Sequence, residues 1–331
     1  MMLWAPFGDR ARELAGAVGA EQLSITFLYG PRYFAPVRYV VLSLRTLLML
    51  LRRGPEVVIA QNPPIFCPLV CLLYCRVSGA RLIVDHHAIW KVKTLGRGPL
   101  SRAIEFLEVV VARAAYANTA PHGMWAEMLV RMGARRVETV HDFVPSNPNG
   151  RSEALRRRLS DEPVISVASH GGHPLERLEV EAEAVGRLRG VSLLVSGPTE
   201  KLARRFAGMR LPPNVRYLGF LDKGTYESLK ASADFAINIT DEPYTLSHVI
   251  FEFAASGLPV ISSKEAVVEE VFGDSVLYAD SDAADVSEKA RSFVSGPLRK
   301  EYRERIARKQ LELARLHEAE LEVLDGLVGP G

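Results

Sequence analysis

The stretch that most limits what this chain can become is residues 234–263. Residues 235–239 form a short apolar run of the kind buried in a parallel strand. Residues 240–244 are polar, and Pro243 blocks continuation of the strand. Residues 245–255 then take helical spacing, with Thr245 or Ser247 placed to cap the first turn. Gly257 predicts the helix end, and residues 258–261 begin another strand. A strand–helix–strand unit of this type requires a parallel sheet with helices on its faces. It also makes an anion site, because free N–H groups and the positive end of the helix dipole face whatever lies at the helix start. Thr245, Ser247 and His248 add side-chain donors there, and Glu252, two turns in, can accept from vicinal hydroxyls. Diphosphate at the helix start and ribose at the carboxylate would suit a nucleotide sugar. The plainer reading is an ordinary unit of this type with a solvated Glu252.

The segment resembles the signature of GT-B glycosyltransferases: a glutamate, seven residues, a second glutamate, then a helix ending in a Gly-Leu-Pro-Val turn. Glu252 and Gly257-Leu258-Pro259-Val260 match the second half. Tyr244 stands where the first glutamate belongs, and Glu242-Pro243-Tyr244 offers the usual Glu-Pro-aromatic run two residues early. The resemblance implies an α/β fold of two Rossmann-like, doubly wound domains facing across a cleft. It makes Glu252 a ribose ligand and Glu242 a contact to the donor sugar. It implies no metal and no cofactor beyond the nucleotide-sugar substrate.

The length, 331 residues, allows two domains, and 48% hydrophobic with 24% charged residues is ample for two cores. Net charge is +2, which gives no reason to expect a nucleic-acid partner. Basic residues, mostly arginines, nevertheless cluster in the N-terminal half, where they either face an anionic surface or form a scattered, solvated one. Cys67, Cys71 and Cys75 repeat at helical spacing, which predicts one stripe of reduced, packed thiols. Asp9, Arg10 and Glu13 interrupt any leader-like run, and the longest apolar stretch, residues 37–51, is broken by Arg38 and Arg45. The expectation is a cytoplasmic protein. The helix at 36–53 is apolar nearly all round, so it is either buried or rests on a membrane surface with its arginines toward head groups.

The N-terminal half supplies the acceptor-side candidates. Gly8 sits in the first strand–helix turn, where a doubly wound domain admits phosphate or acceptor, and Asp9 and Arg10 follow it. A strand at 57–60 runs into Gln61-Asn62-Pro63-Pro64, an extended loop at the ligand end of the sheet. Another strand, 81–84, ends in Asp85-His86-His87. Histidine suits proton transfer near neutral pH, and a strand-end aspartate can orient it. A capped strand end is the alternative. Gln-Asn-Pro-Pro followed by Asp-x-His resembles the beta-1,4-mannosyltransferases that extend dolichol-diphosphate-linked chitobiose, and related bacterial and archaeal transferases. Their Asp-Trp-His-Asn reads Asp85-His86-His87-Ala88 here, so Asp85 and His87 carry over as catalytic candidates and Asn62 as an acceptor contact. The implied acceptor is a polyprenyl- or dolichyl-linked sugar at a membrane surface.

The turn-rich residues 146–150 mark the boundary between an acceptor domain (1–148) and a nucleotide-sugar domain (149–298); a long helix in 299–331 is expected to return to the first domain. After the strand at 163–168 come His170, Gly171 and Arg177, which the resemblance assigns to the donor diphosphate. It also assigns the Gly219 turn to the nucleobase. His170 and His173 lack the further ligands a zinc site needs, and Asp280-Ser281-Asp282 reads as a loop rather than a metal motif. The sequence therefore predicts transfer of a hexose or N-acetylhexosamine from a UDP- or GDP-sugar to a lipid-linked or saccharide acceptor. A nucleotide-sugar epimerase of the same fold and a non-catalytic nucleotide-sugar-binding subunit are the rivals.

Overall fold

The computed structural model of the chain describes residues 1–5, 8–28, 34–87, 98–171, 175–197, 199–206, 209–241 and 246–329; the side chains of residues 9, 199, 201 and 203 lie outside that description. It divides into two compact units: Met1–Asp142 with Leu316–Gly331, and Phe143–Arg315. Each carries its own six-stranded parallel sheet.

In the first unit the strands are β1 (Met2–Leu3), β2 (Leu23–Ser24), β3 (Val57–Asn62), β4 (Arg81–His86), β5 (Ala117–Ala120) and β6 (Val137–Thr139), in the order β2-β1-β3-β4-β5-β6. Alternation along β3 and β4 sorts the side chains onto two faces. Val58, Ala60, Leu82 and Val84 join a core with α2 (Ala35–Arg53), α3 (Phe66–Ser78) and α4 (Pro99–Ala114). Ile59 and Ile83 join Ala11 and Leu14 of α1 (Asp9–Ala17) on the other face. The three cysteines are buried and free, and each belongs to the core that packs α2, α3 and α4 on the sheet. β2 pairs with β1 only over Leu23–Ser24. Beyond it the Thr26 and Leu28 carbonyls accept from Arg45 (3.2 Å) and Arg38 (3.4 Å), so side chains of α2 take the place of a ladder.

The second unit opens with α6 (Glu153–Leu159), which follows α5 (Gly123–Arg131) of the first unit in chain order. Its strands are β7 (Val164–Ser169), β8 (Val191–Ser196), β9 (Val215–Gly219), β10 (Phe235–Asn238), β11 (Val260–Ser263) and β12 (Leu277–Ala279), in the order β12-β11-β10-β7-β8-β9. Counted from β7 this is the 3-2-1-4-5-6 order of a dinucleotide-binding fold, whose reversal lies between β7 and β10. The helices of this unit are α7 (Leu178–Gly186), α8 (Thr199–Phe206), α9 (Lys223–Ser232), α10 (His248–Ala255), α11 (Ala266–Phe272) and α12 (Ala283–Val294). Asp282 caps α12 by accepting from the Ala284 and Asp285 N–H groups, which gives the Asp-x-Asp motif a structural role. The last helix, α13 (Pro297–Val328), begins in the second unit and ends in the first, where Arg81 donates to the Leu327 and Val328 carbonyls at its C-terminus.

Candidate functional site

In the second unit the site is built where β7 and β10 part, since strands that diverge leave a crevice at their carboxyl ends. Gly257 ends α10 with φ +62°, and Ser247 occupies its N-cap position. Glu252 lies one face round from the buried Phe251 and Phe253 and keeps 26% of its side chain open to solvent. Its Oε2 accepts from the Tyr226 hydroxyl at 2.7 Å. Burial, and then the Glu252 charge, push the Tyr226 phenol upward, so it stays a donor; Ser169 at the end of β7 reaches the same hydroxyl. Lys230, one turn along α9 from Tyr226, is fully buried. Its Nζ lies 3.1 Å from Glu227 Oε1, 3.9 Å from Glu252 Oε2 and 4.3 Å from the centre of the Tyr226 ring. A buried ammonium needs anionic partners, and Glu227 and Glu252 supply them. Glu252 is thereby held in one orientation.

His170 departs from expectation. Its side chain and that of Glu181 are both 0% exposed, and Nε2 stands 2.7 Å from Glu181 Oε2. Burial alone would lower its pKa, but Glu181 and Glu176 outweigh that and raise it to about 10, so the ring is an imidazolium. Glu181, on α7, accepts the Ile239 N–H with Oε1 (2.7 Å), which ties the end of β10 to α7 and, through His170, to the residue that follows β7. His170 is therefore an internal brace with no surface to offer a diphosphate. The Gly171 N–H is likewise engaged, by Glu176 Oε1 at 2.8 Å. Arg177 Nη1 pairs with Asp241 at 2.8 Å, both half-exposed. Around them Glu176 and Thr240 form an antiparallel bridge, so the chain just before α7 crosses the end of β10. Gly219 ends β9 with φ +76°, two strands from β7. Thr245, Glu242 and His173 lie outside the described residues, and His248 is exposed at the start of α10.

In the first unit the sheet reverses between β1 and β3, and the expected residues gather at that end. Asp85 is 0% exposed. Arg10 reaches it with Nε (3.1 Å) and Nη2 (2.9 Å), Thr119 donates at 2.8 Å, and Arg10 Nη1 turns to Asp142 at 2.9 Å. Burial would raise the Asp85 pKa, but the Arg10 guanidinium, aided by the charge of His87, holds it below the ordinary carboxylate value. A sealed carboxylate with depressed basicity is a poor proton acceptor, so Asp85 takes a structural place rather than the catalytic one the resemblance implies. Arg10, 5% exposed, is spent on the same cluster rather than on an acceptor. Gly8 is held close, because a Cβ there would meet Leu3 Cδ1 at 3.0 Å, and the side chain of Asp9 lies outside the described residues. His86 faces the other way, as alternation requires. Its Nε2 donates to Asn118 Oδ1 (3.0 Å), whose amide donates to the Ala112 carbonyl, and its Nδ1 accepts from Asn62 (3.3 Å). Burial lowers the His86 pKa and keeps the ring neutral. Asn62, 2% exposed, is thus occupied by His86 on its amide side. His87 alone of this triplet is exposed, with its N–H donating to the Asn62 carbonyl. Ala88 lies outside the described residues.

The sequence reading missed Tyr226, Lys230, Glu181, Glu176, Thr119 and Asp142. One signal was present: Glu181 stands three residues after Leu178 and four before Val185, on the apolar face of α7, where a carboxylate needs a partner. Among the described residues no group of three His, Cys, Asp or Glu side chains is placed to hold a metal ion.

Comparison with known proteins gives concordant results. Residues 177–320 match a family model described as glycosyl transferase-like. The sulfoquinovosyl transferase SQD2 of Arabidopsis thaliana is 24% identical over 303 residues, covering 82% of this chain; the chain spans 56% of the length of that relative. Anabaena Alr3699/HepE in complex with UDP-glucose superposes with a TM-score of 0.74 at 13% identity, over 99% of this chain and 96% of that one. Sucrose-phosphate synthase (tll1590) of Thermosynechococcus elongatus gives 0.70 at 15% identity, over 91% and 84%. With two parallel six-stranded sheets and these neighbours, the fold is GT-B.

Proposed function

We propose that the protein is a glycosyltransferase that moves a hexose or N-acetylhexosamine from a nucleotide-diphospho-sugar to a lipid-linked or saccharide acceptor, without a metal ion. The observation that carries this reading is Glu252, fixed by Tyr226 and Lys230 behind the start of α10 in a sheet of dinucleotide-binding order. The glycosyl transferase-like segment spans that same stretch. Glu252 would accept from the ribose hydroxyls, while the N–H groups opening α10, with Ser247 and His248, would take the diphosphate. Those donors face charge that grows as the glycosidic bond breaks, so they would stabilise the departing nucleotide more than the bound one. A UDP-sugar is the first donor to test, since Anabaena HepE is seen with UDP-glucose; a GDP-sugar is the second.

On the acceptor side His87 is the proton acceptor if the anomeric centre inverts, and a positioning group if it is retained. The buried Arg10–Asp85–Thr119 cluster would hold the strand end that presents it. The Asp-x-His motif also motivates a mannosyltransferase-like acceptor carrying a polyprenyl or dolichyl diphosphate. The reading places the chain in the cytoplasm, peripheral on the inner face of the membrane. Among the described residues no helix is long and apolar enough to cross a membrane.

A thermal-shift panel of UDP-, GDP- and dTDP-sugars, followed by transfer from the radiolabelled donor that binds, tests the proposal. NMR of the product assigns its anomer. His87→Ala should lower turnover and leave donor affinity unchanged. A donor that binds but is never turned over would leave a binding subunit; no shift with any of the sugars would sink the donor site.

A further inference from the structure

The outer face of α2 is built unlike the rest of the first unit. Leu42, Thr46 and Leu50 point into the core. On the opposite side Val37, Val40, Leu44, Leu48 and Leu51 recur at three- and four-residue spacing and are 54%, 60%, 57%, 52% and 60% exposed. Isolated surface leucines need no explanation, but a continuous stripe of five along one helix does. Arg38, Arg45 and Arg52 follow at seven-residue spacing, which puts them in a row along one flank of the stripe. Two of the three are held in place: Arg45 stacks on Phe27 at 5.0 Å, and Arg38 lies over Tyr39 at 5.4 Å. The neighbouring α3, tied to α2 where Tyr39 meets Phe66 at 4.9 Å, adds Leu73 (59% exposed) and Val77 (88%) with Arg76 between them. Neither helix contains an aspartate or glutamate. Apolar side chains that enter a bilayer interface, with arginines at their border and no acid to be repelled, complement an anionic lipid surface in both polarity and charge.

We propose that the α2–α3 face docks the protein on an anionic phospholipid bilayer, with the α2 stripe in the interface and the arginine row on the lipid phosphates. This rests on the peripheral location proposed above and names the surface and the lipid that would produce it. A cavity of about 410 Å³ lies under the same helix, lined by Trp4, Phe27, Tyr39, Leu42 and Pro63 together with Arg38. Docking α2 would therefore bring the carboxyl end of β1 and β3 to the bilayer, where a lipid-linked acceptor is found.

Vesicle co-sedimentation of the full chain tests this. Binding is expected to equimolar phosphatidylcholine–phosphatidylglycerol vesicles at low salt, to weaken as salt rises, and to be far weaker with phosphatidylcholine alone. Leu44→Glu with Leu48→Glu should abolish it. Arg45→Gln with Arg52→Gln should weaken it by roughly 25-fold, on the order of fivefold for each arginine near the surface. Equal binding to both vesicle types, or binding unchanged in both double variants, overturns the proposal. So does a concentration-dependent dimer in sedimentation velocity that Leu44→Glu dissociates, which would assign the stripe to a second copy of the chain. The donor-induced thermal shift is read on the same samples: loss of vesicle binding with the shift retained removes the docking surface alone, and the reverse removes the donor site alone.

Discussion

Glu252 shows how much one side chain's role depends on its neighbours. Tyr226 and Lys230 fix the carboxylate, so in the ribose-binding role proposed for it no further ordering is needed. Glu252→Ala should therefore weaken donor binding by roughly 1–3 kcal/mol, as expected for loss of a charged hydrogen-bond partner, and calorimetry with the binding donor checks it. His170 yields a pH dependence of stability. Its pKa in the folded chain, about 10, lies above the ordinary histidine value. The imidazolium therefore stabilises fully below pH of about 6.5 and loses that contribution as pH rises through about 10. Thermal unfolding should shift downward between those limits in the parent protein, and His170→Gln should flatten that part of the profile. A parent profile with no slope there would show that the Glu181 pair does not charge the ring.

Among the elements, the loops at the carboxyl ends of β7, β8 and β10 are set by backbone contacts as much as by side chains. Gly197, between β8 and α8, has φ +152°, and a Cβ there would lie 2.1 Å from the His170 carbonyl oxygen. Only glycine lets the two loops pass at that distance. Gly197→Ala should destabilise the protein by on the order of 1–3 kcal/mol or more, read by urea denaturation, with donor affinity falling as the His170 loop shifts. The bridge between Glu176 and Thr240 has no local sequence signature, and it is the reason Arg177 pairs with Asp241. The helix at 36–53 looked undecided between core and membrane because its sequence is apolar on nearly every side. The fold divides it, with Leu42 and Leu50 inside and Leu44 and Leu48 outside.

At the scale of the whole molecule, each unit has its own sheet and core. A lesion in one should then spare binding in the other. Asp85→Asn breaks a buried pair in the first unit and leaves Arg10 with Asp142 alone, which should cost about 3–5 kcal/mol of stability. The donor-induced thermal shift, which the proposed function assigns to the second unit, should survive it; loss of that shift in a still-folded variant would contradict the assignment. What the sequence determined by itself was the local order. Apolar runs at 57–60, 81–84 and 235–239 carry parallel strands, and the helix that holds Glu252, His248–Ala255, lies within the stretch read as helical from the sequence. Periodicity and turn chemistry act over a few residues, so they can be read along the chain. Tertiary structure alone decided which polar groups are open to a ligand. Arg10 finds Asp85 and Asp142 across 75 and 132 residues, Glu252 finds Tyr226 across 26, and His170 is sealed by Glu181. Burial and pairing set the charge and reach of these groups, and neither exists until distant strands and helices have come together.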